Sequence, residues 1–214
     1  MGFAEKFVRQ CRKPEGLFGR FVGRLMNTGH AKVRRWGLSY VSVEPHATVL
    51  DIGCGGGAAL RDMGSYFPDS KLWGIDYSQD MVLLATRVNK RLIEMGRIEI
   101  SHGTVSSLPF SDNTFDLATA FESCYFWPDL IHDLQEIRRV LKPGGTLLIV
   151  NEVYEDERFR DRNKRWAAWA GMHLHSPEGY RHLLTASGYL GVEIDEIPEK
   201  NWIAARSKKG QLQS

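Results

Sequence analysis

Val49-Leu50-Asp51-Ile52-Gly53-Cys54-Gly55-Gly56-Gly57 is a short apolar run that passes into four glycines within five residues. The run from Ala47 to Ile52 is apolar and rich in β-branched residues, as expected of a strand buried on both faces. The glycines let the backbone pass close beneath a ligand with no Cβ in the way. The exposed amides at the start of the next helix, predicted over Ala58 to Tyr66, can receive an anionic group. Gly53, Gly55 and Ala58 also satisfy the G-x-G-x-x-G/A spacing of a dinucleotide turn, so spacing alone leaves that ligand class open beside other nucleosides.

The same alternation continues on the C-terminal side. Lys71 to Ile75 reads as a second strand. From Gln79 onward Met81, Leu84, Ala85, Val88, Leu92 and Met95 recur at helical spacing and predict one amphipathic helix. Asp76 ends the second strand at about the distance where an acid binds ribose hydroxyls, and it also suits a helix cap. Arg97 to Ile100 and Phe115 to Phe121 are further strands. A helix with the stripe Leu130, Leu134, Ile137 and Leu141 is predicted to stop at Lys142-Pro143-Gly144-Gly145. Thr146 to Val150 is the next strand, and Ser176-Pro177-Glu178 starts a capped helix. Tyr189 to Ile194 and Asn201 to Ala205 close the series. The fold class is therefore α/β, a parallel sheet with helices on both faces and ligands at the carboxyl ends of its strands.

Composition narrows the class further. At 214 residues, 43% apolar and 25% charged, residues 1–214 are expected to form one domain. The net charge of +2 hides a split, since residues 1–46 hold nine Lys/Arg against three Asp/Glu. Cys11, Cys54 and Cys124 show no C-x-x-C spacing, which argues against a disulfide framework and a zinc site and favours a reducing cytoplasm. His173 and His175 are two apart and do not face one way on a helix, so no metal is expected. No apolar stretch approaches the roughly eighteen residues of a membrane span.

Four blocks in order, Val49 to Gly55, Gly74-Ile75-Asp76-Tyr77-Ser78, Leu108-Pro109-Phe110 with Phe115-Asp116, and Arg139 to Gly145, resemble the class I S-adenosylmethionine-dependent methyltransferases of small-molecule type. The likeness runs from about Val49 to Gly188. A dehydrogenase has no reason to carry the second pair of blocks, so their order decides between the cofactors. The resemblance implies a Rossmann-like seven-stranded, mostly parallel sheet whose last strand is antiparallel and inserted beside the fifth.

It further implies that Asp51, Gly53, Cys54, Gly55 and Gly57 line the methionine part of S-adenosyl-L-methionine, and that Asp76 binds its ribose. Tyr77 and Met81 would pack on the adenine. Where the family usually shows Gly-Asp-Ala, this chain has Gly103-Thr104-Val105; the Thr104 hydroxyl and the Val105 amide would then serve adenine, without charge assistance. Phe121 would face the cofactor's amino group.

Candidates to act on the acceptor are His30, Glu122 and Tyr125, with Trp127 beside them and His132, His173 and His175 as further bases. Residues 1–46 would form a helical arm over the site, and residues 152–175 an insertion capping it, with Trp166 and Trp169 either roofing the pocket or packing the insertion onto the sheet. A small-molecule acceptor is the expected partner, with S-adenosyl-L-homocysteine as product, no membrane, and a monomer or homodimer. The basic arm keeps open an RNA or protein acceptor, although no RNA-binding module is appended. A binding module that has lost catalysis is the non-enzymatic alternative.

Overall fold

In the strand Leu141–Asn151, Leu147 and Ile149 enter one apolar layer while Leu148 and Val150 enter another, so the strand is covered on both faces. The same parity holds in Thr48–Ile52, where Leu50 and Ile52 oppose Val49. Burial on both sides is why these strands read as continuous apolar runs rather than alternating ones. The computed structural model describes Arg12, Pro14 and residues 16–211; Arg9, Cys11 and Lys13 lie outside the described residues.

The strands are β1 (Thr48–Ile52), β2 (Lys71–Asp76), β3 (Ile98–His102), β4 (Phe115–Phe121), β5 (Leu141–Asn151), β6 (Tyr189–Ile197) and β7 (Trp202–Lys209). They form one sheet in the order β3-β2-β1-β4-β5-β7-β6. The first five are parallel, and β7 runs antiparallel between β5 and β6, as the resemblance implied. The order reverses between β1 and β4, which opens a crevice at their carboxyl ends.

The helices are α1 (Gly16–Gly29), α2 (Ala31–Leu38), α3 (Ala58–Tyr66), α4 (Gln79–Val88), α5 (Lys90–Glu94), α6 (Leu130–Val140), α7 (Arg160–Ala170) and α8 (Pro177–Ala186). Val33, Leu60, Met63 and Ala85 cover one face of the sheet, and Leu134, Ile137, Tyr180 and Leu184 the other. The cap predicted at Ser176 forms, and the structure adds a second at Asp129. The Ser176 hydroxyl accepts the Gly179 amide at 3.1 Å, and Asp129 accepts the His132 amide at 3.1 Å.

Two boundaries differ from expectation. The single helix predicted through Met95 breaks at Asn89, whose buried side chain donates to the carbonyls of Gly57 at 2.9 Å and Ala85 at 3.0 Å. That residue ties the end of α4 to the glycine turn, and the chain restarts as α5. Lys142-Pro143-Gly144-Gly145 is not a separate turn after a helix ending at Leu141. Helix α6 stops at Val140, Leu141 already pairs with Phe115, and a register shift between Phe115 and Leu117 accommodates the segment within β5.

Helix α2 is seated on β5 through Gly37. A Cβ built there would lie 2.4 Å from Val150 Cγ2, inside the apolar layer. Gly37→Ala is therefore expected to lower stability by about 1–3 kcal/mol through overpacking, measured by urea unfolding. An unchanged midpoint would show that α2 does not need this close approach.

Candidate active site

The glycine turn is fixed to the second strand before any ligand enters. The amides of Gly53 and Cys54 both donate to the Ile75 carbonyl, at 2.8 and 3.1 Å. Gly57 has φ +78°, and a Cβ there would stand 2.8 Å from the Ala85 backbone, so glycine is required. Gly55 has φ +51° with open space where a Cβ would project, and its amide donates to Asp76 Oδ2 at 2.8 Å. Asp76 Oδ1 accepts the Ser78 amide at 2.9 Å. A carboxylate has about four lone-pair positions, so this buried group keeps acceptor capacity for a ligand.

Beside the turn lies a cavity of about 350 Å³, in the range of small-ligand sites. Of the residues expected to hold the cofactor, Asp51, Gly53, Cys54, Gly55, Asp76, Tyr77, Met81, Thr104, Val105 and Phe121 line it. Gly57 instead stands behind the wall, against α4. Thr104 is at the exposed rim, where its hydroxyl accepts the Ser106 amide at 3.3 Å. The Tyr77 hydroxyl donates to the Arg12 carbonyl.

The arm supplies the facing wall. Asn27 Nδ2 donates to the Gly56 carbonyl at 2.9 Å, laying α1 across the turn. Arg34 is 4% exposed and is held by Asp62 and the Asn27 carbonyl, each at 3.0 Å. Gly23, Met26, His30 and Arg34 also line the cavity. The inward placement of Asn27 and Arg34 was not read from the sequence, where Arg34 counted only as arm charge.

Acidic groups define the electrostatics. Asp51 is buried; its Oδ1 accepts the Thr119 hydroxyl at 2.7 Å, and its Oδ2 has no hydrogen-bond partner. Burial pushes its carboxyl up to about 7. A buried polar atom left unpaired costs free energy, so this oxygen marks where a donor or cation belongs. Together with the open space at Gly55 and the free acceptor capacity of Asp76, it fits the amino-acid and ribose ends of S-adenosylmethionine.

Glu122, at the end of β4, has φ +54°, a conformation that costs a non-glycine residue roughly 1–3 kcal/mol and that clusters at functional sites. Its Oε1 accepts the Glu152 amide at 2.6 Å and its Oε2 the Tyr125 hydroxyl at 2.9 Å. His30 Nε2 lies 3.3 Å from Glu152 Oε1. One polar atom from each of His30, Glu122 and Glu152 falls within 4.8 Å of the others. Burial, then the neighbouring Glu152, raises the Glu122 carboxyl; burial also raises Glu152 and, with Arg34, lowers His30 to about 4.

The structure thus brings His30 and Glu122 together at the cavity. Tyr125, expected to face the acceptor, is buried outside the lining: its hydroxyl is taken by Glu122 and its carbonyl by the His173 amide at 2.8 Å. It positions Glu122. Glu152 was missed, although its place just past the end of β5 is where the fold rule puts site residues. His132, His173 and His175 do not line the cavity, nor do Trp166 and Trp169. Trp166 packs under the Arg162 guanidinium, whose Cζ lies 4.8 Å from the ring centroid. Within 152–175, Glu152 reaches the cluster and His173 braces Tyr125 from behind.

A family model described as a methyltransferase domain matches residues 50–149. Demethylmenaquinone methyltransferase from Bacillus mycoides is 32% identical over 120 residues, 56% of this chain and 50% of that protein. The chain spans about half the length of the curated relatives it matches. A chain from the complex between the Haloferax volcanii Trm112 methyltransferase activator and a methyltransferase superposes with TM-score 0.79 at 24% identity, covering 88% of this chain and 94% of that one. A SAM-dependent methyltransferase from Aquifex aeolicus gives TM-score 0.73 at 18% identity, covering 88% and 97%. These likenesses are of fold. Among the described residues no helix is long and apolar enough to cross a membrane.

Proposed function

We propose that this chain, whose residues 50–149 match the methyltransferase-domain model, is a class I S-adenosylmethionine-dependent methyltransferase that methylates a small organic acceptor, leaving S-adenosyl-L-homocysteine. The cofactor, when bound, supplies a methyl carbon already activated on a positive sulfur. The chain's own contribution is to bind, orient and exclude water. Holding two reactants in line supplies roughly 7–11 kcal/mol of a barrier, more than one general base adds. Asp76 would take the ribose hydroxyls and Asp51 the amino-acid end, with Met81 and Val105 as the apolar wall for the base. His30 and Glu122 remain on the side left for the acceptor.

The observation that carries the size of the acceptor is the arm laid over the turn, with Asn27 bonded to Gly56 and Gly23, Met26 and His30 turned to the cavity. This narrows the site on the arm's side, which favours a small acceptor over a polymer. Arg34 points inward to Asp62, which removes it from any basic face offered to RNA. The named small-molecule chemistry of the Bacillus mycoides relative supports the same reading. The test is to incubate the full chain with methyl-labelled S-adenosylmethionine and separate metabolite, tRNA and protein pools. Label is expected in the metabolite pool; label confined to tRNA or protein would overturn the proposal.

A further inference from the structure

Glu122 and His30 face the cavity beside the rings of Phe126 and Trp127, with Glu152 completing the cluster. Resting on the methyltransferase reading, we propose that the acceptor is a small primary or secondary amine, held as its ammonium ion by the Glu122 and Glu152 carboxylates and deprotonated there.

The charge inventory around the pair favours a cation. Facing it are His30 and Arg34 from the arm, Cys124 and Tyr125 from the turn after β4, Arg162 from α7 and Tyr180 from α8. Arg34 is committed to Asp62 at 3.0 Å. Arg162 donates to the side-chain oxygens of Asn163 at 2.8 Å and Asn201 at 2.6 Å. His30, lowered to about 4, is neutral near pH 7, and burial keeps the Cys124 thiol and Tyr125 phenol protonated. Glu122, raised to about 8, keeps its proton near pH 7 in the empty site because no uncommitted cation faces the pair, and an entering ammonium supplies the positive charge that lets the pair ionise. Aromatic rings beside it favour the same sign.

The sign of the charge that develops on the acceptor separates the chemical classes. An amine becomes positive as it is alkylated, and the carboxylate pair stabilises that change. A phenolate, thiolate or enolate arrives negative and is repelled by the same pair. An ammonium must first lose a proton: one N–H bond breaks, the electron pair stays on nitrogen, and the proton forms an O–H bond on Glu122 or Glu152. The two carboxylates, raised by burial and by each other, suit that transfer. His30, 22% exposed and 3.3 Å from Glu152, lies on the route by which the proton can pass to solvent.

The test uses the full chain saturated with S-adenosylhomocysteine, so that no turnover occurs. Calorimetry then compares ethanolamine, histamine and 2-phenylethylamine with ethylene glycol, 2-(imidazol-4-yl)ethanol, 2-phenylethanol and 2-phenylethanethiol as oxygen and sulfur twins. At least one amine is expected to bind about tenfold or more tightly than its twin, with affinity rising from pH 6 to pH 8 as the pair ionises. Glu122→Gln and Glu152→Gln, which keep side-chain shape, are each expected to remove that preference while S-adenosylhomocysteine still binds. Equal binding of amines and their twins, or preference for the alcohol or thiol, overturns the amine assignment and leaves the methyltransferase reading standing. Binding that appears only with added Mg²⁺ or Mn²⁺ and vanishes with EDTA makes the cluster a metal site and also overturns it. Failure of S-adenosylhomocysteine itself to bind would remove the reading on which the proposal rests.

Discussion

Asp76→Ala is expected to weaken S-adenosylhomocysteine binding by about 100-fold or more, roughly 2.7 kcal/mol, measured by calorimetry below the melting transition. Hydrogen bonds to a charged group contribute about 1.5–3 kcal/mol each, and a cis-diol makes two with one carboxylate. The same side chain also accepts the amides of Gly55 and Ser78, at 2.8 and 2.9 Å. Its removal leaves the glycine turn with an unpaired donor facing the cavity, so positioning and binding are lost together. Asp76→Asn separates them in part, since its oxygen still accepts one of the amides while the charge is gone, and an intermediate loss of about tenfold is expected. A ligand lacking one ribose hydroxyl should lose little further affinity in the Ala variant, whereas it loses much in the wild type. Full additivity of the two changes would place the ribose elsewhere.

The sheet was legible because each buried strand is an apolar, β-branched run and each switch to a helix carries glycine or a cap. The Val49–Gly57 stretch has both signals within nine residues. What stayed illegible depended on partners distant in sequence. Asn89 reads as an ordinary polar position within a helical stripe; its function as a break depends on the Gly57 carbonyl, 32 residues away. Glu152 opens a run of charged residues and looks like a solvated strand end. Only the β4–β5 register, with Phe121 opposite Val150, sets it beside Glu122. Tyr125 follows a strand end and looked like part of the cavity wall, but the His173 amide on its carbonyl belongs to a backbone that turns the ring behind Glu122. Burial and register, rather than residue type, decided these cases.

Asp51→Asn is expected to stabilise the free protein and impair its binding at once. The carboxyl is raised from 3.8 to about 7 by burial, so the folded chain holds its proton more tightly than the unfolded chain. The sign follows: this group costs nothing below pH 3.8, the cost grows as pH rises toward 7, and it stays at its full value above. That interval corresponds to about 4 kcal/mol, so about 2–4 kcal/mol of stabilisation is expected for Asp51→Asn at pH 8 and little at pH 4. Asparagine can still accept the Thr119 hydroxyl, now at 2.7 Å, while its amide N–H groups take the unpartnered position, so the difference between pH 8 and pH 4 isolates the charge. The unpartnered Oδ2 explains why the cost is tolerated: a cationic ligand group beside it pulls its proton off on binding. Wild-type protein should accordingly release protons when S-adenosylhomocysteine binds at pH 6.5, read from calorimetry in buffers of different ionisation enthalpy, and release far fewer at pH 8.5. In Asp51→Asn that release should disappear while affinity falls by at least about tenfold. A variant that gains stability at high pH yet binds as tightly as wild type would show that the buried carboxylate serves something other than this ligand.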